Sequence, residues 1–281
     1  MSDKITISAD SSCDLTPEML ETYNIRIIAT GVIIGDKVMT DTELTPEDIY
    51  KSVEINNIIP KTNACLETDY RELFEEATKD GGSIIHFTIS EKLSASHANA
   101  KRAAEGLQNV HIINSKMLTV GIGVLAMRAS EMRAKGMATE QIVEETIKLI
   151  DKLVLGFVIN DLKYLYKGGR ASGLKLLAAN ALKIRPSLDM DTEGRLVPTK
   201  KFKGEFAKAV KEWTAHKLAQ YPNANKDLAI MAHSDIDPKI SAQLKKDLKD
   251  AGFKEIIHLD VGVTITIHCG RNTIGFVMFN D

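Results

Sequence analysis

The 281-residue sequence is poor in aromatic side chains (5%) and has almost no excess charge, with 36 Lys and Arg against 38 Asp and Glu. A balanced surface with few rings offers neither the electrostatic footprint that attracts nucleic acid or an anionic membrane nor a platform for stacking bases. Cysteine is scarce: Cys13, Cys65 and Cys269 are odd in number and far apart. They match no metal-ligand spacing and no disulfide framework, which suits a reducing cytoplasm. No apolar run reaches the roughly 18–20 residues that span a bilayer, and the opening MSDKITISAD has no signal-peptide core. Nucleotide machinery is missing as well. No G-x-x-x-x-G-K-[ST] loop occurs, and no G-x-G-x-x-G follows the first strand. Paired carboxylates and metal clusters at recognisable spacing are absent too. A chain of this kind that handles lipid does so as a soluble carrier.

What is present is a regular alternation of short apolar runs with helical patterns. Residues 5–9, 83–90 and 109–114 read as strands, with helices after Thr16-Pro17 and Thr45-Pro46 and over SASHANAKRAAEGL. A hydroxyl residue followed by proline is a helix-start signal, because the missing N–H falls where no intrahelical partner exists. RIIATGVIIGDKVMTD is strand-like, with a turn at Gly35-Asp36. Near-continuous apolar strands alternating with helices predict a parallel sheet covered on both faces. Beyond residue 155 the pattern changes. A helix with Leu174, Leu177, Ala178, Ala181 and Leu182 on one face follows KGGRAS. A hairpin is expected about Thr192-Glu193-Gly194, and helices near 205–219 and 238–250. The closing runs DLAIMAH, KEIIHLDV, VTITIHCG and TIGFVMFN are expected to pair antiparallel. The expectation is an α/β chain of two domains, residues 1–155 and 156–281, the second with a mixed, largely antiparallel sheet.

Several short segments carry chemistry. YKGGRAS has the wrong order and spacing for a P-loop; it reads either as a phosphate-facing turn or as a solvated basic one. ADSSCDL (9–15) places an acid and hydroxyls at the carboxyl edge of the first strand, where open α/β sheets collect ligands, or forms a local Asx-type turn. Ser94 in LSASH reads as an N-cap, leaving the N–H groups of Ser96 and His97 at a helix start. Thr62 is a loop hydroxyl, and His268 ends an apolar strand in TITIHCGRN. Ser94 with His268 also admits a hydrolase or acyltransferase acting on a lipid-like ester, although no G-x-S-x-G elbow is present.

Taken in order, these segments resemble the DegV family, soluble fatty-acid-binding proteins that include the FakB subunits of bacterial fatty acid kinase. ADSSCDL resembles the family's DSSxDL, PKTNACLETDY its PKTSQPS…DF, and ISEKLSASHANA its ISSGLSGTYQSA. DLKYLYKGGRAS is similar to DLxYLxKGGRIS, TKKFKG to xKxRG, and ITIHCGRNTIGF to IGTHTGPGALGI. The resemblance runs from residue 5 to the C-terminus. It implies a parallel α/β domain followed by a second α/β domain that encloses a lipid tunnel, and a fatty acid carboxylate held by Thr62, Ser94 and His268. It also implies a non-catalytic cytoplasmic carrier, expected to be a monomer with no cofactor beyond its long-chain fatty acid. The carrier makes transient membrane contact and presents the acid to a FakA-type kinase that forms the acyl phosphate. Ser96, Arg170, Lys201, Lys203 and Arg271 are then head-group or partner contacts. The chain departs from the pattern at Ala95 (glycine in the family), His97 (tyrosine), Asn63-Ala64-Cys65 (SQP), Lys203 (arginine) and Arg271-Asn272 (Pro-Gly). Arg271 reads either as an added countercharge or as a solvated surface arginine, and Asn272 can take the positive φ of the glycine it replaces.

Overall fold

The computed structural model describes residues 4–170 and 183–281; the helix expected over Leu174–Leu182 lies outside the described residues. Strands β1 (Ile5–Asp10), β2 (Ile25–Ile28), β3 (Gly31–Ile34), β4 (Lys37–Thr40), β5 (Lys61–Asn63), β6 (Ser83–Thr88) and β7 (Val110–Asn114) precede residue 150. β1, β2, β6 and β7 form a parallel sheet in the order β2-β1-β6-β7, with Ile7 opposite Ile25 and Ile85. Both faces are covered. Helices Glu67–Thr78 and Ser96–Ala103 pack through Tyr70, Phe74 and Ala100 against Ile84. Helix Val120–Ala134 packs on the other side against Ile7 and Phe87. The expected caps form: Thr16 Oγ1 accepts the Met19 N–H, and Thr45 and Asp48 make a reciprocal capping box. The Gly35 turn joins β3 to β4, and these strands with β5 make a separate antiparallel sheet in the order β4-β3-β5.

The second half contributes β8 (Leu153–Ile159), β9 (Ile184–Met190), β10 (Leu196–Lys203), β11 (Ala224–Ser234), β12 (Glu255–Asp260) and β13 (Thr273–Asn280). Their order is β10-β9-β8-β13-β11-β12. β9 and β10 are the expected hairpin. The expected antiparallel pairing of the closing strands holds for β13 with β11 and β8 but not for β12, which is parallel to β11. Helix Pro238–Asp250 lies between those two strands, and a helical crossover is what a parallel neighbour requires. The division expected after residue 155 falls inside β8, all of which pairs with β13.

One further expectation is overturned. VTITIHC is not a strand but the helix Val263–Cys269. Its β-branched residues favour a strand locally, yet Val263 and Ile267, one turn apart, bury against Val32 and Ile49, so tertiary packing decides the conformation. Across the chain, a single apolar cluster joins Ile7 and Phe87 of the first sheet to Leu155, Phe157 and Ile230 of the second. Among the described residues, no helix is long and apolar enough to cross a membrane.

Candidate functional site: a polar-headed apolar cavity

β5 places Thr62 opposite Val32 of β3. Cross-strand neighbours share a sheet face, and Val32 is fully buried, so Thr62 turns inward toward helix Val263–Cys269. Its Oγ1 lies 2.9 Å from His268 Nε2. The KGGR turn lies behind the imidazole. A Cβ on Gly168 would sit 2.2 Å from His268 Nδ1, so the ring and this backbone approach more closely than any side chain permits. Gly270 repeats the device in reverse. It has φ +65, and a Cβ there would sit 2.3 Å from the Tyr164 ring. The two glycine turns thus interlock His268 with the segment leading to Arg170.

Arg170 is half-buried. Its Nη1 donates to Gly168 O at 2.6 Å and its Nε to Leu93 O at 3.3 Å, which ties the KGGR turn to the loop carrying Ser94. Ser94 is not the N-cap of the following helix; Ala95 occupies that position without a side-chain cap. The Ser94 hydroxyl instead accepts the Ser96 N–H and contacts Ser96 Oγ at 2.9 Å. Ser96 Oγ in turn accepts the Cys65 N–H. Residues 62–65 and 94–96 are thereby held together.

Thr62, Ser94, Ser96, Arg170 and His268 all line one cavity of about 70 Å3. A second cavity of about 40 Å3 adjoins it, with Leu118, Phe157, Ile265 and Cys269 shared between the two walls. The polar groups therefore gather on a space whose remaining wall is mostly aliphatic and aromatic, from Ile89, Leu93, Leu118, Phe157, Leu165 and Ile265, with Thr30, Asn63 and Thr264 among them. Burial, reinforced by the Arg170 charge, lowers the His268 pKa from 6.5 to about 4, so the imidazole is neutral at pH 7. His268 Nδ1 is buried without a hydrogen-bond partner among the described residues. Two hydroxyls, a neutral imidazole and a guanidinium suit an anionic oxygen group.

The hydrolase alternative lacks its geometry. His268 Nε2 contacts Thr62, Ser94 Oγ contacts Ser96, and an imidazole titrating near 4 is a weak base at neutral pH. Arg271 does not reach the cavity as a countercharge. It donates to Glu54 at 2.8 Å and to Asp235, and stacks on Tyr50 with 3.8 Å to the ring centroid. Its new neighbour Asn272 does adopt positive φ, at 56°. Lys201 and Lys203 are exposed on β10, away from the lining. Sequence reasoning missed Ser12, whose buried hydroxyl has no partner among the described residues and which lines the cavity; its signal was the serine pair in ADSSCDL. Leu118 and Phe157 carried no local signal, since only packing makes them lining residues.

The DegV family model, described as uncharacterised protein, DegV family, matches residues 4–281. A DegV domain-containing protein of Staphylococcus aureus is 30% identical over 284 residues, covering 98% of each chain. A DegV family protein from Ruminococcus gnavus, solved with vaccenic acid, has a TM-score of 0.87 and 25% identity, covering 97% of this chain and 99% of its own. The fatty acid kinase B3 protein of Streptococcus pneumoniae, loaded with linoleic acid, shares the fold with a TM-score of 0.85 at 21% identity, covering 99% of this chain and all of its own. With a family model spanning nearly its whole length and the two-sheet α/β architecture of these structures, the chain belongs to the DegV family.

Proposed function

We propose that this protein carries a long-chain fatty acid, with its carboxylate at Thr62, Ser94 and His268 beside Arg170 and its tail against Leu118, Phe157 and Ile265. The observation that carries the reading is the division of the cavity into a polar head and an apolar remainder. Burying a methylene gains about 0.8 kcal/mol, so a tail of ~14 to 18 carbons gains on the order of 10 kcal/mol, while the head group fixes orientation. Ligand pockets usually occupy about 300 Å3 or more, so a full-length tail parts the wall formed by Leu118, Phe157, Ile265 and Cys269. The vaccenic acid of the Ruminococcus structure and the linoleic acid of the Streptococcus protein support the ligand class. Native mass spectrometry, with oleate titration of lipid-stripped protein, tests it. A stoichiometric C14–C18 acid is expected, and a protein that takes up none refutes the reading.

The bound acid is proposed to be phosphorylated by a separate ATP-dependent kinase of the FakA type. The kinship with a fatty acid kinase B protein supports this, as does the lack of a nucleotide-binding motif in the sequence. Oleate-loaded protein, mixed with such a kinase and ATP, is expected to yield acyl phosphate, trapped as the hydroxamate. The protein without the kinase is expected to yield none.

A further inference from the structure

Of the buried carboxylates outside the cavity lining, Asp41 and Asp14 both reach the helix that carries His268. Asp41 and Asp14 are 8% and 7% exposed. Asp41 Oδ2 accepts the Thr264 hydroxyl at 2.7 Å, and Thr264 stands one helical turn before His268. Asp14 Oδ1 accepts the N–H of Gly262, the N-cap residue immediately before the helix, at 3.0 Å. The helix is only seven residues long and its first five are VTITI, so neither length nor propensity holds it in place.

The other contacts of Asp41 show what the helix is tied to. Its Oδ2 also accepts the Ser11 hydroxyl at 2.7 Å, and Oδ1 accepts the Thr30 N–H at 3.0 Å. Ser11 directly follows β1, and Thr30 directly precedes β3, the strand that pairs with Thr62 on β5. One carboxylate therefore links the helix bearing His268 to the strands bearing its partner Thr62. Three donors converge on Asp41, and an ionised carboxylate can accept them all, whereas an amide has a single acceptor oxygen. Asp14 makes the second tie, because its Oδ2 accepts Thr119 Oγ1 at 2.5 Å, next to helix Val120–Ala134.

We infer that Asp41, assisted by Asp14, is a positioning residue that sets the Thr62–His268 contact and the orientation of the imidazole at the cavity head. The geometry stands by itself; its consequence for affinity rests on the fatty-acid reading. Wild type, Asp41→Ala, Thr264→Val and Thr264→Ser are compared by oleate titration and by NMR of the His268 ring proton in lipid-stripped protein. Thr264→Val nearly keeps the side-chain volume and removes the hydroxyl donor; because Thr264 also lines the cavity, its oleate affinity counts only together with the His268 resonance. Loss of a hydrogen bond to a charged group predicts oleate binding weaker by about tenfold or more in Asp41→Ala and Thr264→Val. The His268 resonance and its titration midpoint move in both, and Thr264→Ser matches wild type on both readouts. Folded Asp41→Ala and Thr264→Val proteins with wild-type affinity and an unmoved resonance overturn the inference. Should Asp41→Ala fail to fold, Thr264→Val decides alone. Should wild type take up no oleate, the carrier reading falls, and the His268 resonance alone judges the tie.

Discussion

Asp14 is buried and His268 half-buried with its Nδ1 shut off from water, and this desolvation moves their titrations in opposite directions. Asp14 is pushed up from 3.8 to about 7, chiefly by desolvation. Between those values the folded chain holds a proton that the unfolded chain releases, so this contribution is full below about pH 4 and is lost as pH rises to 7, about 4 kcal/mol in all. His268 is lowered from 6.5 to about 4. There the unfolded chain binds the extra proton, so stability falls by up to about 3 kcal/mol as pH drops through that window. Asparagine tolerates the left-handed conformation of residue 14, φ 53°, and keeps an acceptor for Gly262. Asp14→Asn is therefore expected to gain stability relative to wild type progressively from pH 4 to 7, measured by urea unfolding. A difference that stays flat with pH would show an ordinary carboxyl. Arg170→Gln removes the positive charge facing His268, and the imidazole midpoint should rise when followed by NMR. Gly168→Ala drives a methyl into His268 Nδ1; oleate binding should weaken at least tenfold (about 1.4 kcal/mol), and unchanged affinity would place the imidazole elsewhere.

At the scale of elements, the strands and caps that obey local rules were legible in the sequence. Thr16-Pro17 and Thr45-Pro46 start helices, and β6, with Ile84, Ile85 and Phe87 at its centre, is buried at every position. The helix Val263–Cys269 was not legible, because its conformation depends on partners far away in the chain: Val32, Ile49 and Asp41. The site divides the same way. Thr62, Ser94, Arg170 and His268 stood out by motif, and they do line one cavity. The status of Arg271 was hidden, since its charge is spent on Glu54 and Asp235, which the chain brings from 217 and 36 positions away. The helix is therefore the element most exposed to packing defects. Ile267 is 2% exposed, and Ile267→Ala should cost about 2–4 kcal/mol while also loosening His268 on the adjoining position. Denaturant unfolding and oleate titration should fall together. A stability loss with unaltered affinity would separate the apolar anchor from the site.

For the molecule as a whole, the decisive element is helix Val120–Ala134. Ten of its fifteen residues are buried, and they are not confined to one stripe. A helix that is apolar on nearly all sides is buried on nearly all sides. Here it lies in a cluster that contains Ile7 and Phe87 of the parallel sheet together with Leu155, Leu188, Ile230 and Val277 of the six-stranded sheet. The hairpin turn between β9 and β10 adds a polar tie, because Ser90 Oγ donates to Gly194 O at 2.6 Å. Neither half can shed the other without exposing this helix to water. Chains of this size often unfold in stages, but a shared core predicts one calorimetric transition, with van't Hoff and calorimetric enthalpies that agree. Leu125, fully buried in that helix, gives the test its leverage. Leu125→Ala should cost about 2–5 kcal/mol and move the whole transition down as one peak. Two resolved peaks, with only one displaced by the substitution, would show that the sheets fold as independent units and that the cavity between them opens without global unfolding.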